Sequence, residues 1–360
     1  MAFIKFLISA CLIISFFFGQ LLRLNLNTLS IPFIDIFITL LAFVNFSIHF
    51  FYYRSKAKNI LFLYFIIFTW ISFFINLTLH HYPFLKPFFY LIRITSLLSF
   101  FIYPPTFSAY LHKFFLLSLI ANILFGYLQY FFWPNLTYFN SQNWDPHLFR
   151  LVSTYLDPTF TGLIYLFFLI YLFFQKKYWL TWFPYLALAL TYSRSSLLSL
   201  IIASLFVSYK THQPKIFLIC LLTVSLTVVL LPRLPGEGTK LERTSSIKAK
   251  IINYQEGIRL FATSPFIGHG YNNLSYVRKI ENPNSHANSG FDSSLLTILC
   301  TTGLIGLSLF IFGSTNLFRS STLFFQTLLI ALLIHSLFSN SLLYPWIPVF
   351  LIFINSKYRN

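Results

Sequence analysis

Apolar runs of membrane-crossing length follow one another along this chain. They lie near residues 3–22, 31–53, 59–78, 86–105, 110–133, 158–175, 178–193, 195–209, 214–231, 292–312, 321–338 and 341–356. A spanning helix needs about 20 predominantly apolar residues, so the pattern predicts an all-α integral membrane protein, a bundle of about twelve transmembrane helices. The two runs that flank Arg194 are the shortest. The first run has no small-x-small cleavage site behind it and is followed by Gln20-Leu-Leu-Arg23, which marks it as a span and not a removed signal. One long stretch, 232–291, lacks a run of this kind. The chain therefore divides into residues 1–231, carrying helices 1–9 with short loops; 232–291, a large loop; and 292–360, carrying helices 10–12 and a tail.

Composition agrees with the pattern. Hydrophobic residues make up 57% and charged residues 9% of the 360, far from the roughly 25% charge of a soluble domain. The net charge of +17 would suit nucleic acid. Its basic residues are instead dispersed between spans, which points to membrane topology and anionic lipid and not to nucleic acid. With the N-terminus inside, the inner connections collect Arg54, Lys56, Lys58, Lys113, Lys176, Lys177, Lys210, Lys215 and Arg319, and the inner tail adds Lys357 and Arg359. Short outer connections hold only Arg23, Arg150 and Arg194, with Lys86 at an edge. This asymmetry predicts an even number of spans in the cytoplasmic membrane, with the large loop outside.

The eight acids sharpen the picture. Seven of them (Asp145, Asp157, Glu237, Glu242, Glu256, Glu281 and Asp292) fall in or beside outer connections, and Asp35 lies near the outer end of span 2. Any catalytic carboxylate therefore works outside, where no ATP is available, and no Gly-rich phosphate loop is present. Cys11, Cys220 and Cys300 sit inside apolar runs as small core residues. His269 and His286 are far apart, no His-Glu-x-x-His occurs and no cysteine is near, so neither a metal nor a cofactor is expected.

The large loop carries most of the candidate chemistry. Its opening, with Pro232, Pro235, Gly236 and Gly238, reads as irregular. Ile247–Ala262 reads as an amphipathic helix, with Ile247, Ile251, Tyr254, Ile258, Phe261 and Ala262 on one face. Lys248 and Arg259 flank one edge and Lys250 the other, which places cations at headgroup level; plain interfacial anchoring accounts for the same pattern. Pro265 then ends the helix, and Gly268 and Gly270 allow a tight turn. His286, just before the next span, suits general-base work near neutral pH. Asp292, six residues on, reads either as a helix cap or as a second candidate base. Elsewhere, Asp157-Pro158 reads as a helix cap. Arg150, near an apolar boundary, wants an anionic partner, and Arg194 in a Ser-rich turn suits phosphate.

Three features together resemble the O-antigen ligase and O-antigen polymerase superfamily of membrane glycan transferases, over roughly Ile120 to Pro345. They are Ser193-Arg194-Ser-Ser-Leu, like the family's Ser-Arg turn; Ser264-Pro265-Phe-Ile-Gly268-His-Gly270, like its Pro-x-x-Gly-x-Gly; and Ser294 through Gly303-Leu-Ile-Gly306, like the span after its His-Asn. The resemblance implies a multi-span bundle with a large outer loop. It implies transfer of a glycan from an undecaprenyl-pyrophosphate donor to a sugar or glycolipid acceptor, without metal or nucleotide. In that family basic residues hold the pyrophosphate and a His activates the acceptor. By position, Arg194 matches the first family arginine, Lys250 falls where the family often has Arg, and Tyr254 where it often has Trp. The family's His-Asn falls at Asp292-Ser293, with His286 six residues earlier, so either His286 or Asp292 takes the base role. Arg150, Arg243 and Arg259 are the further candidate donor contacts.

Two other readings compete. A flippase or transporter of lipid-linked glycans would use charges facing a cavity inside the bundle; Arg93 is the clear mid-span charge, and no internal repeat is visible. A polyprenyl-phosphate-sugar glycosyltransferase would carry acids in its first outer loop, and Leu22–Ser30 has none.

Overall fold

The computed structural model describes residues 2–26, 29–53, 58–138, 145–278 and 290–357. Every apolar run contains a helix. In order these are α1 (Ala2–Phe18), α2 (Phe33–Ser47, continued by a π turn at Ile48–Tyr53), α3 (Ile60–His80), α4 (Leu85–Ile102), α5 (Ala109–Phe132), α6 (Pro158–Phe174), α7 (Trp182–Leu190), α8 (Arg194–Thr211) and α9 (Pro214–Leu230). After the large loop come α12 (Ser294–Arg319), α13 (Leu323–Ser336) and α14 (Trp346–Lys357); the loop itself holds α10 (Ser245–Thr263) and the single turn α11 (Leu274–Val277).

Among the described residues six helices are long and apolar enough to cross a membrane: Phe3–Leu21, Phe33–Phe51, Ile60–His80, Leu85–Ile102, Ala109–Phe132 and Ser294–Arg319. The expected twelve full-length spans thus resolve into these six and a set of shorter apolar helices. α7, with nine residues, measures about 14 Å, less than half of a hydrocarbon core of about 30 Å. α6 shows why short helices are tolerated. It is buried without interruption from Thr161 to Phe168, so it is surrounded by protein and need not match lipid thickness.

The all-α expectation holds, with one short hairpin added. Arg23–Leu26 (β1) and Leu29–Pro32 (β2) form an antiparallel pair with Arg23 opposite Pro32. Each strand is only four residues long and lies between long apolar runs, which hides it in the sequence pattern. Several helix starts follow ordinary capping chemistry. Asp157 accepts from Thr159 N at 2.6 Å and Phe160 N at 3.2 Å, with Pro158 at the first helical position. Ser193 caps α8, and Ser293 caps α12 by accepting from Leu296 N at 3.4 Å. The cap of α12 is therefore Ser293 and not Asp292.

α12 is broken in the middle. Gly303 has φ 66° and ψ −168°, a backbone state open essentially to glycine alone. The break lies about 14 Å along the helix from its start, where unsatisfied backbone is expensive in a membrane. The Pro265–Gly270 turn fills it. His269 N donates to Cys300 O and Gly270 N to Thr301 O, each at 2.9 Å, and Leu304 N donates back to Pro265 O at 2.8 Å. From α3, Ser72 Oγ donates to Ile267 O at 2.7 Å and Asn76 Nδ2 to Gly268 O at 3.0 Å. A Cβ on Gly303 would collide with the Phe266 carbonyl, and one on Gly268 with the Thr301–Thr302 peptide. The two glycine motifs at 265–270 and 303–306 are thus the two halves of one joint.

Candidate functional site

α10 is held against α12 by one face. Gly257 packs on Leu296, and Cys300 Sγ donates to Gly257 O at 3.1 Å. Lys250, Asn253, Tyr254 and Gly257 share this face because they are three, four and seven residues apart. Tyr254 and Phe261 join a small core with Leu274, Phe291, Leu296 and Cys300. The other flank of the predicted apolar face, Ile247, Ile251 and Ile258, stays exposed. The predicted apolar face is therefore split: one flank packs on α12 and the other is left open.

This docking places Lys250 beside Asp292. Lys250 Nζ lies 3.3 Å from Asp292 Oδ2 and also donates to Phe338 O, in the α13–α14 connection. Tyr254 OH donates to Leu337 O in the same connection. Asp292 N donates to Asn253 Oδ1 at 2.9 Å, so both the main chain and the carboxylate of Asp292 are fixed from α10. Next to it, Arg278 forks onto Glu256 at 2.7 and 2.6 Å, donates to Gly290 O at 2.7 Å and lies over the Phe291 ring. Arg278 and Glu256 thereby tie the end of the loop to α10.

Lys250 and Asp292 line a cavity of about 430 Å³. Its walls come from Gln20, Arg23 and Pro32, from Tyr90 and Arg93 on α4, from Tyr155–Phe160, from Tyr271 and Asn272, and from Ser339–Trp346. The connections before α2 and α6, the large loop and the α13–α14 connection therefore meet at one end of the bundle. Arg23 and Arg93 were not among the residues singled out by sequence as contacts, although Arg93 stood out as a charge inside a span. Arg93 Nη1 is 3.0 Å from Asp35 Oδ2, and its guanidinium lies 4.1 Å from the centre of the Tyr90 ring. Burial pushes the Tyr271 and Tyr344 phenols up, so both stay protonated and can act as hydrogen-bond donors.

The remaining sequence candidates separate into groups. Arg150, Arg194 and Arg243 come together beside the cavity, within electrostatic reach of one another. Arg194 Nη1 donates to Leu241 O at 3.2 Å and Arg243 O at 2.9 Å, and Nη2 donates to Ser246 Oγ. It therefore clasps the chain just ahead of α10. Arg243 Nη1 donates to Gly238 O at 2.6 Å and Lys240 O at 3.1 Å. Arg150 is buried, donates to Thr191 O at 2.9 Å and packs on Gly238. Burial, then repulsion from Arg243, lowers its guanidinium to about 10, against the pull of Asp157. Asp157, which also lines the cavity, links the two groups. Arg259 is exposed on α10 and does not line the cavity. His286 lies outside the described residues, so its place relative to Asp292 is not part of this geometry. His269 is buried and spent on the joint, with Nε2 against Thr263 Oγ1 and Leu260 O. Among the described residues no group of three His, Cys, Asp or Glu side chains is arranged to hold a metal.

The family model for O-antigen ligase matches residues 179–311. This segment covers the Ser-Arg turn, α10, the glycine joint and the first part of α12, and the match bears out the resemblance to the O-antigen ligase superfamily. No curated protein matches the chain.

Proposed function

We propose that this chain, with its O-antigen ligase segment at residues 179–311, transfers a glycan from an undecaprenyl-pyrophosphate donor to a sugar hydroxyl at the outer face of the cytoplasmic membrane. The observation that carries the reading is the Lys250–Asp292 pair on a cavity wall. These two positions are where the superfamily's basic residue and catalytic His fall. Beside the cavity stands the Arg150–Arg194–Arg243 cluster, and an apolar groove of about 450 Å³ lies between α3, α4, α12, α13 and α14. Arg93 lines the cavity and Ile94 the groove, while Leu343 lines both. A polar chamber that shares a wall residue with an apolar groove suits a lipid-linked substrate.

In this reading the acceptor oxygen attacks the anomeric carbon of the donor sugar and its proton passes to a base. The bond from that carbon to the phosphate oxygen breaks, and the diphosphate leaves with the electron pair. Lys250 offsets the charge that develops on the leaving group, in a partly dry site where such an interaction is strong. The base is Asp292, which Asn253 and Lys250 hold in place, or His286 from the adjoining chain. The test is a purified transfer assay with undecaprenyl-linked glycan, comparing the wild type with Lys250→Ala and Asp292→Asn. Full activity in Lys250→Ala removes the reading. Gene deletion with profiling of surface glycans then separates loss of chain length from loss of attachment.

A further inference from the structure

We infer that Arg23 and Arg93 form a second cationic wall opposite Lys250, and that the two walls close on the diphosphate of the substrate from both sides. The inference rests on the transferase reading above. It assigns a binding role to the N-terminal helices, which lie outside the family match.

Arg93 could be only a structural partner for Asp35, tying α4 to α2. Three observations go further. Arg93 lines the cavity as well as meeting Asp35. Arg23, held by the hairpin through Ser30 Oγ and Ser30 O at 2.7 Å each, lines the same cavity, which gives two guanidiniums on the side where Asp35 lies. The Arg93–Asp35 contact is also a single hydrogen bond and not a two-bond fork, because Asp35 Oδ1 is buried with no partner. A purely structural Arg–carboxylate pair gains most by forking. The Tyr90 ring fixes the guanidinium plane and its side chain takes one further hydrogen bond, and donors beyond those on Asp35 and Tyr90 remain for an oxyanion. An ionisable side chain inside a span that faces a polar cavity marks a substrate path. A diphosphate, unlike a single carboxylate, carries acceptor oxygens on two phosphorus centres and can meet both walls at once.

The test uses the full chain purified in detergent and measures binding of inorganic pyrophosphate, with melting temperature recorded alongside. Arg23→Gln removes a charge at the hairpin. The double change Asp35→Asn with Arg93→Gln removes both charges of the pair and leaves no orphan charge. Each is expected to weaken pyrophosphate binding at least about tenfold, the scale of a hydrogen bond to a charged group, with little change in melting temperature. Wild-type affinity in a folded double variant makes the pair structural only and overturns the inference. If the double variant does not fold, Arg23→Gln decides, and unchanged affinity overturns it. Loss of binding in Lys250→Ala alone refutes the second wall and leaves the transferase reading standing. No pyrophosphate binding even by wild type sinks both. Displacement of pyrophosphate by phosphatidylglycerol micelles assigns the wall to lipid headgroups and overturns the donor role.

Discussion

Lys250 and Asp292 are 42 positions apart in sequence, yet Nζ and Oδ2 are 3.3 Å apart, because α10 lies across the start of α12. Both side chains are partly open to solvent, 31% and 45% exposed, so the pair itself adds little to stability. Its value lies in holding a cation and a carboxylate at one point of the cavity wall. Lys250→Arg is expected to keep most transfer activity, whereas Lys250→Ala should lose it by about a hundredfold, the scale of one preorganised electrostatic contact. Rates from purified protein check this.

The base is separated by pH. With Asp292 as base, Asp292→Asn abolishes transfer and His286→Ala leaves both rate and pH profile intact. With His286 as base, the wild-type rate falls as pH drops through about 6.5 and the fall disappears in His286→Ala. Rates of both variants at several pH values decide between them.

Arg194 makes its hydrogen bonds to Leu241 O, Arg243 O and Ser246 Oγ, all just ahead of α10. Arg194→Ala should therefore loosen residues 232–246 as well as abolish transfer. Limited proteolysis of the purified protein is expected to cut this segment several-fold faster than in wild type. A variant that loses transfer with an unchanged cleavage rate would show that Arg194 acts on the ligand and not on the loop.

His147 should make the fold acid-sensitive. Burial, and then Arg150, lowers its imidazole to about 4, against Asp145, and Nε2 is buried without a partner. The unfolded chain takes up this proton near 6.5 and the folded chain only near 4, so between these values the unfolded state binds more protons. Stability is then lost as pH falls through that window, by up to about 3 kcal/mol, and levels off below it. Melting curves in detergent should show this drop, and His147→Gln should flatten it.

Gly303→Ala should destabilise the protein strongly. The backbone state alone costs about 1–3 kcal/mol for a residue with a Cβ, and the added carbon meets the Phe266 carbonyl. A fall of several degrees in melting temperature is expected. An unchanged value would mean that the joint rearranges freely.

Topology is tested by reporter fusions. Fusions at Thr239 and at the C-terminus are expected on opposite sides of the membrane, from the Lys and Arg asymmetry. The same side for both would reverse the assignment of the cavity to the outer face.

Helix positions were legible because apolar runs and caps are local signals. α10 was expected over Ile247–Ala262 and spans Ser245–Thr263. Its docking was legible only in part: Tyr254 and Phe261 belong to the predicted stripe, but the closest approach to Leu296 is at Gly257, which has no side chain to contribute to it. The glycine pairs at 268–270 and 303–306 were visible as separate motifs, but nothing local says that one turn fills the break in the other helix. The Arg93 wall was hidden for a related reason. Its partner Asp35 is 58 positions away on another helix, and Arg23 arrives on a hairpin of four-residue strands. The base assignment stays divided between Asp292, which has a fixed place, and His286, which lies beyond the described residues.

The joint between the Pro265–Gly270 turn and α12 also bears on how this chain can vary in length. A loop of this size hung from two helices would accept insertions along most of it. Here the turn is sewn into the interior of a spanning helix by three main-chain bonds, and a single added residue there would put the Pro265 bond out of register with those of His269 and Gly270. Length variation among related chains should therefore collect before α10, around Pro235–Lys240, and after Arg278, leaving the number of residues from Lys250 to Gly270 nearly constant.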